Sequence, residues 1–224
     1  VNAPPDATTD IAPVAVELEP NKPRKYSAGL GYGTDTGMRV KLLAKQRWLN
    51  RQGHHAEEVL QWSTIKSLAS VKYKIPGANP ITDEYSLTAG YSLQNYNRQD
   101  YQLFTLGGGW QQQDSKWLKS YSLNHQYEDF SVGNQPTSNS LLLIPGLNWT
   151  WIDADDRLYT HHGLLFGFEL RGASTALLSD LNFVQGVLHL KGVYALNDDS
   201  RFIARGDLGT TVISENFEQL PTSL

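Results

Sequence analysis

The chain has 224 residues, a formal net charge of −4 and no cysteine. That length admits one large all-β unit or two ordinary domains. The absence of thiols excludes a disulfide scaffold and thiolate metal sites, and the charge supplies no global basic field for nucleic acid. No run of ~18 apolar residues offers a transmembrane helix. Yet aromatics make up 11% of the chain, with 11 Tyr and 6 Trp. A barrel whose strands alternate lipid-facing and lumen-facing residues averages to the hydropathy of a soluble protein.

The opening Val1-Asn2-Ala3 has no methionine, no charged n-region and no apolar h-region. It reads as a chain whose leader has been removed, or as a piece of a longer one. Residues 1–13 are rich in Pro, Ala, Asp and Thr and read as a linker. Val14 to Leu18 is a short strand closed by Pro20-Asn21-Lys22-Pro23, too short to fold alone. Residues 1–24 therefore stand apart as the end of a preceding domain, and residues 25–224 as the β unit.

Lys25 to Arg51 organises that unit. Tyr26, Ala28, Leu30 and Tyr32 fall on one face, and Ser27, Gly29, Gly31 and Gly33 on the other. After Thr34-Asp35-Thr36-Gly37 the alternation resumes, with Met38, Val40, Leu42, Ala44 and Trp48 opposite Arg39, Lys41, Lys45 and Arg47. Period two means strand, and two such runs across an Asp/Gly turn make a hairpin. The second face carries mostly small or cationic groups, which suits a wall with one oily side and one wet side.

The rest of the chain repeats this pattern. Asn50 to Gly53 is a tight turn. Ala56, Glu58, Leu60 and Trp62 mark a third strand, and Ala69, Val71, Tyr73 and Ile75 a fourth, opposite Lys66, Ser70, Lys72 and Lys74. The cleanest strand sets Tyr85, Leu87, Ala89, Tyr91 and Leu93 against Ser86, Thr88, Gly90, Ser92 and Gln94. Tyr101 to Gln112 returns through three glycines, Asp114-Ser115-Lys116 turns, and Tyr121, Leu123 and Tyr127 alternate with Ser120, Ser122, Asn124 and Gln126. Glu128 to Asn139 reads as a long polar loop. Leu143, Leu147, Trp149 and Trp151 lead to Asp153-Ala154-Asp155-Asp156. Three further strands carry Leu164 to Leu170, Leu188 to Tyr194, and Phe202 to Leu208.

These make about eleven strands in a meander with no helical period. Roughly 17 residues per strand and turn fit strands tilted through a bilayer better than the ~8–12 of a soluble sandwich. The turns alternate weakly in length, as periplasmic turns and surface loops do. An odd number of strands leaves the first and last parallel, whereas bacterial single-chain barrels have even numbers. The expectation is an all-β, antiparallel, up-and-down transmembrane barrel wall cut before closure.

Motifs for chemistry have plainer explanations. Asp35-Thr36-Gly37 matches the aspartic-protease tripeptide, but a dyad needs two carboxylates sharing a proton and this copy sits in a hairpin turn. Gly29-Leu30-Gly31-Tyr32-Gly33 is no dinucleotide fingerprint, because no helix follows. Neighbours on a strand point opposite ways, so His54-His55 and His161-His162 can each give one ligand at most. Asp153, Asp155 and Asp156 would be needed for even a weak surface metal site. No nucleophile elbow marks a hydrolase. We expect no enzyme activity and no cofactor.

KYSAGLGYGTDTGMR with KQRWLNRQGH resembles the opening hairpin of the TamA branch of the bacterial surface antigen superfamily, which also holds BamA and the two-partner secretion transporters. ITDEYSLTAGY, LLLIPGLNWTW, FELRGAS with LLSDLNF, and FIARGDLGTT with NFEQLPTSL extend the resemblance collinearly from about Val14 to the last residue. VAVELEP resembles the last strand of the final POTRA domain, the periplasmic module before the barrel. The family barrel has sixteen strands, and this chain would stop where the long sixth surface loop begins.

The resemblance implies the bacterial outer membrane, with lipid around the wall and client β-barrel or autotransporter proteins as partners. It also implies an inner-membrane TamB-like partner, and no nucleic acid. The work would be insertion or secretion of autotransporter-type proteins through a weak lateral seam. Its gate strand would hold Tyr26, Ala28, Gly29, Leu30, Gly31, Tyr32 and Gly33, since strand glycines remove packing from the edge. The alternatives are a porin-like channel or a two-partner secretion transporter, for which the lumen-facing Arg39, Lys41, Lys45 and Arg47 would attract anions or only solvate the lumen.

Overall fold

The computed structural model describes residues 22–34, 37–96, 99–132, 137–197 and 200–214. The expected linker and POTRA strand, the Asp35-Thr36 turn centre and the closing residues 215–224 lie outside them. Eleven strands form one open sheet in strict chain order, every neighbouring pair antiparallel. They are β1 (Arg24–Gly33), β2 (Gly37–Gln46), β3 (His55–Ser63), β4 (Lys66–Pro76), β5 (Asp83–Tyr96), β6 (Gln99–Asp114), β7 (Trp117–Val132), β8 (Ser138–Ala154), β9 (His162–Ala173), β10 (Phe183–Ala195) and β11 (Arg201–Ile213). A 3-10 turn, Thr175–Leu177, interrupts the β9–β10 connection. Among the described residues no helix is long and apolar enough to cross a membrane.

Register carries one face across the whole sheet, because residues directly opposite on paired strands share a face. Tyr26 meets Ala44, which meets Glu58, then Val71, Ala89, Leu106, His125 and Leu143. Most of the large exposed hydrophobics within strands, Leu30 at 83% and Val212 at 68% among them, lie on this face. A soluble monomer rarely exposes an apolar patch beyond a few hundred Å², so hydrocarbon is the solvent that suits it. Tyr85, Trp110 and Tyr121 stack in a row, 6.3 and 5.4 Å between centroids, and Trp149 meets Tyr121 edge-on at 6.3 Å. Six residues further along the strand, Tyr91, Phe104 and Tyr127 form a second row. The rows lie about 20 Å apart along the strands, close to the height of an apolar band between two aromatic girdles.

The opposite face is crowded and mostly polar, with one apolar island. Leu142, Ile144, Ala173, Leu181 and Phe183 are buried together, with Ile213 packed against them. The island exists because β8 outruns β9. β9 pairs with β8 only as far as Gly146, leaving Ser138–Pro145 without a strand on that side. The β9–β10 connection fills the gap. The Asp180 carboxylate accepts from Leu141 N at 2.6 Å and Asp180 N donates to Leu141 O at 2.9 Å. The Ser179 hydroxyl accepts from Leu143 N and donates back to Leu143 O.

Two expectations need correction. Glu128 to Asn139 is not a long loop: β7 runs to Val132 and β8 starts at Ser138, because polar residues on the inner face keep a strand's alternation. The expected alternation of turn lengths holds only over the first strands: the connections at the end where β1 starts include 47–54 and 77–82 against 64–65 at the far end, but 115–116 at the starting end is as short and 174–182 at the far end is longer. The parity argument holds: β1 and β11 are the two edges and point the same way, so they cannot close as an antiparallel pair.

Candidate lateral seam and lumenal wall

Among the described residues β1 pairs with β2 alone. Its outward residues Tyr26, Ala28, Leu30 and Tyr32 face the same side as Ala44, Leu42, Val40 and Met38. Its inward positions hold Ser27, Gly29, Gly31 and Gly33. A Cβ at Gly29 would find only the Lys41 carbonyl, 4.0 Å away. At Gly31 it would meet the Arg39 side chain, with Nε at 2.9 Å. The Arg39 stem thus lies over bare backbone, and β1 contributes a floor without walls. Neither glycine has a positive φ. In the turns, Gly37 and Gly53 do, at 65° and 80°, which is the conformation only glycine adopts freely. Asn50 completes the second turn, its side-chain oxygen accepting from Gln52 N and His54 N.

The predicted basic residues fall on the inner face, with one distinction. Arg39, Lys41 and Lys45 alternate along β2, whereas Arg47 follows the strand and donates its backbone N–H to Pro23 O at 2.7 Å. Lys45 is paired with Glu57, 2.5 Å away. Register adds partners that a reading of the hairpin alone missed. Lys25 lies opposite Lys45, and Lys66, Lys72 and Lys74 project from β4 on the same face. Against these seven cations β1–β5 place Glu57 and Glu84 inward, and Glu84 pairs with Lys74 at 3.0 Å. Among the described residues Arg39 and Lys41 make no ion pair. The inner face of β8–β11 is organised differently: His189 sits between Asp207, at 2.6 Å, and Glu169, at 3.6 Å, and Glu169 accepts from Asn148 at 2.6 Å.

The histidines and acidic loop are occupied locally. His54 bonds Tyr73 OH at 2.7 Å and His55 lies 3.3 Å from Glu84, on opposite faces as alternation requires. Burial pushes the Asp155 carboxyl up, but backbone N–H groups of Asp156, His162 and His161 together hold it below the usual range. Asp156 is lowered by the N–H groups of Tyr159 and Leu158. These carboxylates fold their own loop.

No known family's sequence profile matches the chain. Its fold is similar to the crystal structure of BamA from Haemophilus ducreyi lacking POTRA domains 1–3, with a TM-score of 0.73 at 13% identity. The likeness covers 85% of this chain and 41% of that one, so the chain spans about two fifths of that protein's length. At this identity the likeness shows the fold alone: an antiparallel, up-and-down sheet like the wall of the BamA β-barrel.

Proposed function

We propose that this chain is part of the barrel of an outer-membrane protein-assembly subunit of the TamA type, working as a templating surface without enzymatic chemistry or cofactor. Its clients are β-barrel and autotransporter-type proteins, its surroundings outer-membrane lipid, and a TamB-like inner-membrane protein its partner by resemblance. The observation that carries the reading is β1: a strand of about one membrane span whose inward positions hold no side chain larger than Ser between Ser27 and Gly33. An edge strand offers unpaired backbone N–H and C=O groups to an incoming strand. Strand glycines keep its pairing weak, each by about 0.5–1 kcal/mol relative to Ala.

The test is a reversible lock. In the complete protein, a disulfide from β1 to the last barrel strand should abolish client insertion into vesicles, and reduction should restore it. Normal insertion by the locked protein would end the seam reading. The basic inner wall favours a second reading, an anion-attracting channel, which predicts large steady conductance that the lock leaves unchanged.

A further inference from the structure

We propose that the inner face of the first hairpin binds acidic, extended polypeptide, with Arg39 and Lys41 as the principal contacts and Lys25 further along the same hairpin. This rests on the assembly reading and names the chemistry of the segment that such a wall would receive.

Three observations converge. The charge is concentrated: seven cations face two carboxylates on the inner wall of β1–β5, in a chain whose net charge is −4. Both carboxylates are already committed to Lys45 and Lys74, leaving Arg39 and Lys41 with no counter-ion among the described residues. Space lies beside Lys41, whose cross-strand partner Gly29 leaves open room, while the Arg39 stem itself lies over its partner Gly31. The spacing favours a chain over a single small anion. Arg39 and Lys41 stand two residues apart on one strand, about 6.8 Å. An extended peptide presents its alternate side chains at that same interval, so successive acidic residues meet successive cations. On β8–β11 the pattern differs: His189 lies between Glu169 and Asp207, and those two carboxylates stand against Arg171, Lys191, Arg201 and Arg205, without a glycine floor like that of β1.

The complete protein in detergent is titrated with fluorescein-labelled peptides of about 15 residues, alternating Ser with Asp, Asn or Lys, and binding is read by anisotropy. The Asp peptide should bind about tenfold tighter than the Asn peptide, two exposed charge contacts supplying roughly that factor, and the difference should shrink with salt. Arg39→Gln with Lys41→Gln should remove the preference, while Lys191→Gln with Arg205→Gln on the other side should keep it. Arg39→Glu with Lys41→Glu should turn the preference toward the Lys peptide, a gain that a misfolded variant cannot show.

Equal binding of the Asp and Asn peptides would overturn the proposal. So would equal losses from the two Gln pairs, or inorganic phosphate competing as well as the peptide at equal charge. Client insertion by the disulfide-locked protein is followed separately. If the lock has no effect while the peptide preference stands, the seam reading fails and the basic wall survives as a binding surface.

Discussion

The inner face of β1 carries glycine where the inner face of β8 carries Leu142 and Ile144, buried to 2% and 3%. The first hairpin is built of strands ten residues long, while β6 to β8 reach 16 and 17. Both regions present the same apolar outer face to the same surroundings, so the contrast lies inside. The long strands support an island of packed side chains and a connection that completes the β8 edge with Ser179 and Asp180. The short ones support a glycine floor and unpaired cations. The wall is therefore held together by packed side chains on one side and by its ladder and a few partly exposed ion pairs on the other. Free energy is concentrated away from the strand that a lateral gate would open, which is where a weak seam can be tolerated.

The largest expected effect is on the packed side. Leu142→Ala should cost about 2–5 kcal/mol of the complete protein's stability in lipid, as buried leucines do when a cavity remains. Leu43→Ala, on the inner face of β2 and 38% exposed, should cost within about 0.5 kcal/mol, the range of surface changes. Urea unfolding of both variants tests the asymmetry; equal losses would erase it.

A second substitution probes what the two regions share. Leu87→Arg places a charge on the outer face between the two aromatic rows and should cost about 2–4 kcal/mol if it lies near the bilayer midplane. Thr88→Arg, pointing inward, should be close to neutral. Cysteines at positions 88 and 90 should react with water-soluble reagents and those at 87 and 89 should not. The reverse labelling would mean that the faces are exchanged.

The smallest effects compare glycines. Gly29→Val has room, with the nearest atom to its Cβ at 4.0 Å. It should strengthen the seam by about 0.5–1 kcal/mol and slow client insertion. Gly31→Val first requires Arg39 to swing aside. Gly172→Ala, in the packed region, would bring Cβ to 2.7 Å from the Phe183 carbonyl and should destabilise. A Gly29→Val variant with faster insertion would contradict the proposed role of the glycines.

Strand order and facing were legible because alternation is local: Tyr85 to Leu93 announces its register without reference to any other strand. The parallel orientation of the two edges followed from parity alone. The inner island was harder to see. Its signal was Leu141-Leu142-Leu143-Ile144, an unbroken apolar run where one wet face predicts alternation, and such a run means that both faces are covered. The residues that cover it, Leu181 and Phe183, lie some forty positions away, beyond the reach of periodicity. The seam glycines were visible as residues, but the room beside Gly29 and the Arg39 stem over Gly31 were not.

The sequence by itself determined eleven alternating strands, which side of each is apolar, and the absence of helical spans, since each depends only on neighbours two residues apart. The tertiary structure decided how strand ends match. Pairing lengths differ between β8 and β9, and that mismatch created the gap that Ser179 and Asp180 fill. It also decided the charge of the inner face. Antiparallel register brings Lys25, Lys45 and the β4 lysines onto one surface with Arg39 and Lys41, while most acidic residues fall elsewhere. A net charge of −4 therefore coexists with a basic inner wall, because charge adds along a chain but acts across a surface.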